Sequence, residues 1–272
     1  MSEPTLKFDA SRKRMTIEFH EPLTLATLEA ISARLRNDEA RSLHVIVAFD
    51  WRDPRARDWR DPRHVAQLEK AMNPSIEAFI FDAPSDTTAR QSRNTVGDIG
   101  DVLGACPRLQ RAFVTGCSTI RKMRHEHLRE LYLIGEPLDA SVIPGLAASQ
   151  FPLLERLVLE QFGLRAEEVA ASLRTIDAPR LREVSIDGVT VIEFLDMIGT
   201  AALPWTLCIR DPCFDDVDRL FEILEQRNEL RSGKLRLDSE KLFDSEIAKL
   251  EQMGVTIEDM RYVFNPRAYA SW

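Results

Sequence analysis

Phe151-Pro152-Leu153-Leu154-Glu155-Arg156-Leu157-Val158-Leu159 sets out the phrase Pro-x-Leu-x-x-Leu-x-Leu, and this phrase returns along the chain with apolar substitutes. Full copies stand at Pro74/Ile76/Phe79/Phe81, Pro107/Leu109/Ala112/Val114 and Pro179/Leu181/Val184/Ile186. Leu128/Leu131/Leu133 lacks the proline, Leu207/Ile209 and Leu235/Leu237 keep only the last two apolar places, and Leu43/Ile46/Ala48 reads as an early copy. The central residues from Ala112 through Leu131, Leu157, Val184 and Leu207 to Leu235 are roughly 20 to 28 residues apart, a leucine-rich-repeat period. Ile46, Phe79 and Ala112 are more widely spaced, which assigns inserted loops to the N-terminal units.

Between the phrases the apolar period changes from two to about 3.6, as at Val169, Leu173 and Ile176 within Leu164 to Ile176. Acidic Asp215 and Asp216 before Val217 suit the positive end of a helix dipole, and Asp61-Pro62 reads as a cap followed by proline at the first helical position. One short strand and one helix per unit make neighbouring strands parallel, because the helix returns the chain to the same sheet edge. The predicted fold is therefore an α/β solenoid of leucine-rich-repeat type. It places a parallel sheet on the concave side and helices on the convex side.

The strand positions add a register argument. Just before each central apolar residue come Arg111, Glu130, Arg156, Glu183, Thr206 and Lys234, a column of mostly alternating charge if the strands stack in register. Leu6-Lys7-Phe8 and Met15-Thr16-Ile17-Glu18-Phe19 flank a turn at Asp9, predicting a hairpin. With a helix around Leu25 to Leu35, residues 1–40 form the cap that a solenoid needs on its first apolar face. Residues 41–272 form the solenoid as one continuous domain, ending on a strand at Val255-Thr256-Ile257 with Tyr262 and Phe264 over it.

Composition limits the function classes. The 272 residues carry 36 Lys and Arg against 44 Asp and Glu, a net charge of −8, which disfavours a general phosphate-backbone binder. Met1-Ser2-Glu3-Pro4-Thr5 lacks a basic stretch leading into an apolar run, and no apolar run approaches a membrane span. Four cysteines, Cys106, Cys117, Cys208 and Cys213, are too sparse for a disulfide framework. A monomer in a reducing cytoplasm is expected, bound to neither nucleic acid nor membrane.

The phrases Phe151 to Leu159 and His127-Leu128-Arg129-Glu130-Leu131-Tyr132-Leu133 resemble bacterial leucine-rich-repeat proteins over Leu43 to Val263. The close, Leu250 to Ile257 followed by Arg261-Tyr262-Val263, resembles an unassigned subgroup of them. The family places Asn or Cys eight residues after the first leucine; here only Cys117 after Leu109 matches, and Glu136, Phe162 and Val189 fill the other places.

Few residues suggest catalysis. Cys106, Cys117, His125 and His127 have no standard metal-ligand spacing, and Cys106 shares its place before the repeat proline with Phe151 and Ala178. Cys208 alternates with Leu207 and Ile209, so it is expected on the exposed sheet face, with all five histidines far back in the chain. No catalytic residue, metal or cofactor is assigned. Asp-Trp-Arg-Asp-Pro occurs twice, placing Trp51 and Trp59 in one polar loop. Arg90 and Arg93 lie in a second polar run.

The strongest candidate is the concave face, whose middle column reads Ile80, Phe113, Tyr132, Val158, Ser185, Cys208 and Arg236. The adjoining column, Asp82, Thr115, Ile134, Glu160, Asp187, Arg210 and Asp238, adds a charged rim to this apolar strip. The expected function is a non-catalytic scaffold or regulatory partner of another protein. Contact is assigned to Ile80, Phe113, Tyr132, Val158, Glu160, Asp187, Arg210, Trp51 and Trp59. An immunity-type inhibitor is one alternative, and an enzyme using Cys208 or a Cys/His metal site is another. The alternative is that the N-terminal insertions fold over the strip and bury it; if the strip is open, truncating Tyr132 or Phe113 leaves stability nearly unchanged.

Overall fold

The computed structural model describes residues 5–19, 29, 31–33, 35, 40–47, 68–70, 72–82, 98–115, 120–134, 142–160, 165–187, 191–198, 204–210, 217–231, 234–238 and 242–258. Residues 19, 47, 82, 160, 187, 210 and 229 are described in their backbone alone. Eleven strands form one sheet in chain order. They are β1 Thr5–Asp9, β2 Arg14–Phe19, β3 Ser42–Val47, β4 Ala78–Asp82, β5 Arg111–Thr115 and β6 Glu130–Ile134. The row continues with β7 Arg156–Glu160, β8 Glu183–Asp187, β9 Thr206–Arg210, β10 Leu235–Asp238 and β11 Thr256–Glu258. Only β1 and β2 pair antiparallel; each later neighbour is parallel.

Helices fill the returns. They are α1 Ile99–Gly104, α2 Val142–Ala147, α3 Ala166–Thr175, α4 Val191–Ile198, α5 Val217–Gln226 and α6 Asp244–Gln252. Helical residues 29, 31–33 and 35 follow the hairpin, with Ile31 and Leu35 buried in the core. The hairpin turn is held by Asp9, whose Oδ1 accepts from the Ser11 and Arg12 amides at 3.0 and 3.3 Å, while Lys13 adopts φ 49°.

Alternation along the strands makes two faces. Leu131, Leu133, Leu157 and Leu159 join the side chains of α1 to α5 in the main core, with Leu131 and Leu157 fully buried. Cys106 lies in that core too, as a small apolar group. Each such leucine contributes about 1.5–3 kcal/mol by leaving water.

One sequence-based register changes. The early copy places Ile46 in the central slot, but Leu43 pairs with Phe79 and Phe79 with Ala112, so the phrase is Ala40/Leu43/Val45. Ala40, Leu43 and Val45 are each at 0% exposure, while Ile46 is half-buried on the opposite face. A slip of three residues reverses which side chains face the core, and the helices select the face that buries most apolar surface.

The β5–β6 return is the shortest, and its described part, residues 120–129, contains no helix. Helix α2 closes against it instead. A Cβ on Gly145 would sit 1.6 Å from the Ile120 carbonyl oxygen, so the helix backbone approaches the connector more closely than any side chain permits. Ser149 fastens the same contact: its hydroxyl donates to the Gly145 carbonyl at 2.6 Å and accepts from the Met123 amide at 3.0 Å. At the other end, Gly254 adopts φ 82° and terminates α6, with Gly254 N–H donating to Glu251 O and Val255 N–H to Leu250 O.

Gly145→Ala tests the close approach. In an open helix this change stabilises by about 1 kcal/mol. Here the methyl group meets backbone, and a net loss of about 1–3 kcal/mol is expected in denaturant melts. A neutral or stabilised variant overturns the α2 placement.

Candidate functional site on the sheet face opposite the helices

The face turned away from the helices carries three rows of side chains, set by the strand register. Across β4 to β10 the middle row runs Ile80, Phe113, Tyr132, Val158, Ser185, Cys208 and Arg236, as the alternation predicts. Phe113 and Tyr132 meet with ring centroids 5.9 Å apart and tilted planes, a favourable aromatic geometry. Ile134 packs against the same cluster from the adjoining row.

The expectation of an open apolar strip is corrected. Ile80, Phe113, Tyr132 and Val158 form a second buried cluster, with Tyr132 and Val158 at 0% exposure. Ser185 and Cys208, also expected toward solvent, are buried as well. The physical reason is the cost of exposed apolar area, of order 25 cal/mol per Å2, which favours covering such a strip within the chain. Part of the closure is visible at Tyr132. Its hydroxyl donates to Glu130 Oε2 at 2.9 Å and accepts from Arg156 Nη1 at 3.2 Å, so the charged row meets the aromatic side chain at its polar tip.

The charged column is half-buried. Arg111 pairs in register with Glu130, Glu130 with Arg156 and Arg156 with Glu183, as the alternating charges imply. Arg156 Nε donates to Glu183 Oε1 at 2.7 Å. The second oxygen of Glu183 lies 3.5 Å from Arg236 Nη1, reached across β9 where Thr206 and Cys208 are small. Arg236 also holds Glu258 with both Nε and Nη2. The result is a chain of groups, Glu130, Tyr132, Arg156, Glu183, Arg236 and Glu258, running from β6 to β11. The side chains of Arg156, Glu183, Arg236 and Glu258 are 22–33% exposed. Such partly desolvated, multiply bonded ions are held more rigidly than isolated surface pairs.

Within this setting Cys208 is a poor nucleophile. Burial, reinforced by the Glu183 charge, pushes its thiol up to about 12 against the opposing effect of Arg236 and Arg156, so it stays protonated at neutral pH. Burial likewise raises Cys106 to about 12. His125 is buried and bonded to backbone on both ring nitrogens. Among the described residues no group of three His, Cys, Asp or Glu could hold a metal ion. Ser185 Oγ is buried without a hydrogen-bond partner among them.

Several expected site residues fall elsewhere. Trp51, Trp59, Arg90, Arg93, Cys117 and Cys213 lie outside the described residues, as do Glu136, Phe162, Val189, Tyr262 and Phe264. Glu160, Asp187 and Arg210 lie on strands in the third row, with their side chains outside the description. Sequence reasoning found the charged column but missed its connection through Tyr132 and Arg236. Its signal is the combination of a tyrosine two places after Glu130 and small residues on β9.

Two measurements check this geometry. Tyr132→Ala is expected to cost about 3–5 kcal/mol, a buried-aromatic truncation, rather than the near-neutral change that an open strip implies. Denaturant melts decide between the two. Cys208 is expected to resist a thiol reagent at pH 7 in the native chain and to react on denaturation; fast native labelling, mapped by peptide mass, overturns the buried assignment.

No family model matches the sequence, and no curated protein sequence matches it. In structure the chain is similar to a crystal structure of a Bacteroides fragilis protein, a structural-genomics target, at a TM-score of 0.59 and 17% identity. The match covers 90% of this chain and 75% of that one, and it shows a shared repeated strand and helix fold of solenoid-like form.

Proposed function

We propose that the chain is a leucine-rich-repeat-type scaffold, without catalysis, that binds another protein through the sheet face opposite the helices. The observation that carries this reading is the ion ladder from Glu130 to Glu258, fixed by hydrogen bonds on a continuous sheet and left partly exposed. Ordering charged side chains before a partner arrives reduces the conformational cost of association and sets which charges the partner must present. The adjoining buried apolar row is tied to the ladder through the Tyr132 hydroxyl. Contact is therefore read as mainly electrostatic, through the ladder's outer edges, with Glu160, Asp187 and Arg210 in the next row as further candidates.

A repeat protein presents such a surface because its repeat strands, here β3 to β11, are parallel and evenly spaced, so one substitution per unit changes one place in the pattern. The protonated, buried Cys208 gives no support to the thiol-enzyme alternative. Among the described residues no helix is long and apolar enough to cross a membrane.

The test is cross-linking in the native cell with mass-spectrometric identification, followed by titration of the recovered protein against variants. Lys234→Glu reverses a half-buried charge beside the ladder and Glu258→Lys one at its end; because Glu258→Lys also breaks the pair with Arg236, thermal melts beside each titration separate lost binding from lost folding. Binding weakened roughly tenfold, with a stronger salt response, supports the proposal. A partner whose affinity ignores both changes overturns this face as the binding surface.

A further inference from the structure

The turn that opens each repeat phrase is built the same way four times. The residue before the proline accepts, through its carbonyl, the amide of the first apolar residue. The pairs are Ile76 to Asn73, Leu109 to Cys106, Leu154 to Phe151 and Leu181 to Ala178, at 2.9 to 3.1 Å. Proline in between suits such a turn because its φ is already fixed. The β6 unit lacks the proline; Glu126 occupies its place, and His125 stands where Cys106, Phe151 and Ala178 stand in the other units.

In this unit the Leu128 amide donates instead to His125 Nδ1 at 3.1 Å, joined by the His127 amide at 3.4 Å. The other ring nitrogen, Nε2, lies 3.1 Å from the Cys106 carbonyl of the preceding unit. Amides require an acceptor and a carbonyl requires a donor, so the ring is neutral with its proton on Nε2. His125 is 3% exposed and Leu128 is fully buried. The His125 amide itself donates to Gln150 O of the following unit at 3.0 Å, so one residue joins three consecutive repeats.

We propose that His125 is an acid-sensitive latch: protonation at Nδ1 removes the acceptor that forms the turn into β6 and loosens the strand that carries Tyr132. A proton there points at two N–H donors and leaves both amides unsatisfied. The surroundings offset this only in part, since the Cys106 and Leu103 carbonyls and Glu126 favour the charged ring while burial, the largest effect, and His127 oppose it. The preceding unit faces the ring with the Leu103 and Cys106 backbone and the Cys106 thiol, and the following unit offers uncharged Gln150. The charged or titratable groups of its own segment are Glu126, His127 and Arg124, with Glu126 already bonded to Arg124 at 2.5 Å. Burial, the largest effect, lowers the affinity of the folded ring for a proton. The unfolded chain thus takes up the proton first. The contribution is fully present above the ordinary histidine value of about 6.5 and is lost as pH falls through it toward the folded value.

The experiment uses amide hydrogen exchange from pH 7.5 to 5, corrected for intrinsic rates, on the whole chain. His125→Asn places a non-titrating oxygen close to the position of Nδ1, and His127→Asn serves as control. Protection of Leu128 to Leu133 is expected to fall at least ~10-fold with acid in the wild type and in His127→Asn, and less than ~2-fold in His125→Asn. The same acid loss in His125→Asn, or none in the wild type, overturns the latch. Ring 15N shifts of the wild type decide even where His125→Asn fails to fold: a proton on Nε2 at pH 7.5 is required, and one on Nδ1 overturns the proposal.

Discussion

The structure depends on one column of side chains. Met15, Leu43, Phe79, Ala112, Leu131, Leu157, Val184, Leu207 and Leu235 stack in register on the helix side of the sheet, all buried. Because strand side chains alternate, fixing this column fixes the identity of every residue on both faces. The charged row, the second apolar cluster and the third row follow from it without further choice. Backbone pairing supplies the spacing of about 4.8 Å that turns a list of charges into a ladder.

The second face shows how apolar and ionic contributions combine. Exposed ion pairs contribute about 0–1 kcal/mol each, too little to justify their order alone. Here they run beside a buried row of Ile80, Phe113, Tyr132 and Val158, and the Tyr132 hydroxyl connects that row to Glu130 and Arg156. Partial burial strengthens the electrostatic attraction and limits the side-chain freedom that weakens surface pairs.

Much of this was legible in the repeat phrase. It locates β4 to β10, assigns Leu131, Leu157 and Leu159 to the core, and sets Arg156 opposite Glu183. The early repeat was misread by three residues because Leu43, Val45 and Ile46 are all apolar, and periodicity alone does not separate a buried face from a half-buried one. The burial of Phe113 and Tyr132 was not legible for a related reason: alternation tells which face a side chain takes, not what lies over it. The sequence reading weighs His125 only as a metal ligand, because its role replaces a backbone carbonyl and only comparison with the four prolyl turns reveals the missing acceptor. Of the contacts expected from sequence, Trp51 and Trp59 lie outside the described residues.

The short β5–β6 return has a consequence for how the molecule comes apart. With strands joined in strict chain order, cooperativity passes only from each unit to the next, so the weakest junction determines whether the chain melts in one step or two. At this junction the described connector has no helix of its own, and the gap is spanned by α2 leaning on Ile120 through the bare backbone of Gly145. The two sides of this junction are also joined by the β5–β6 pairing and by His125, so the fit at Gly145 adjusts the strength of their coupling rather than setting it alone.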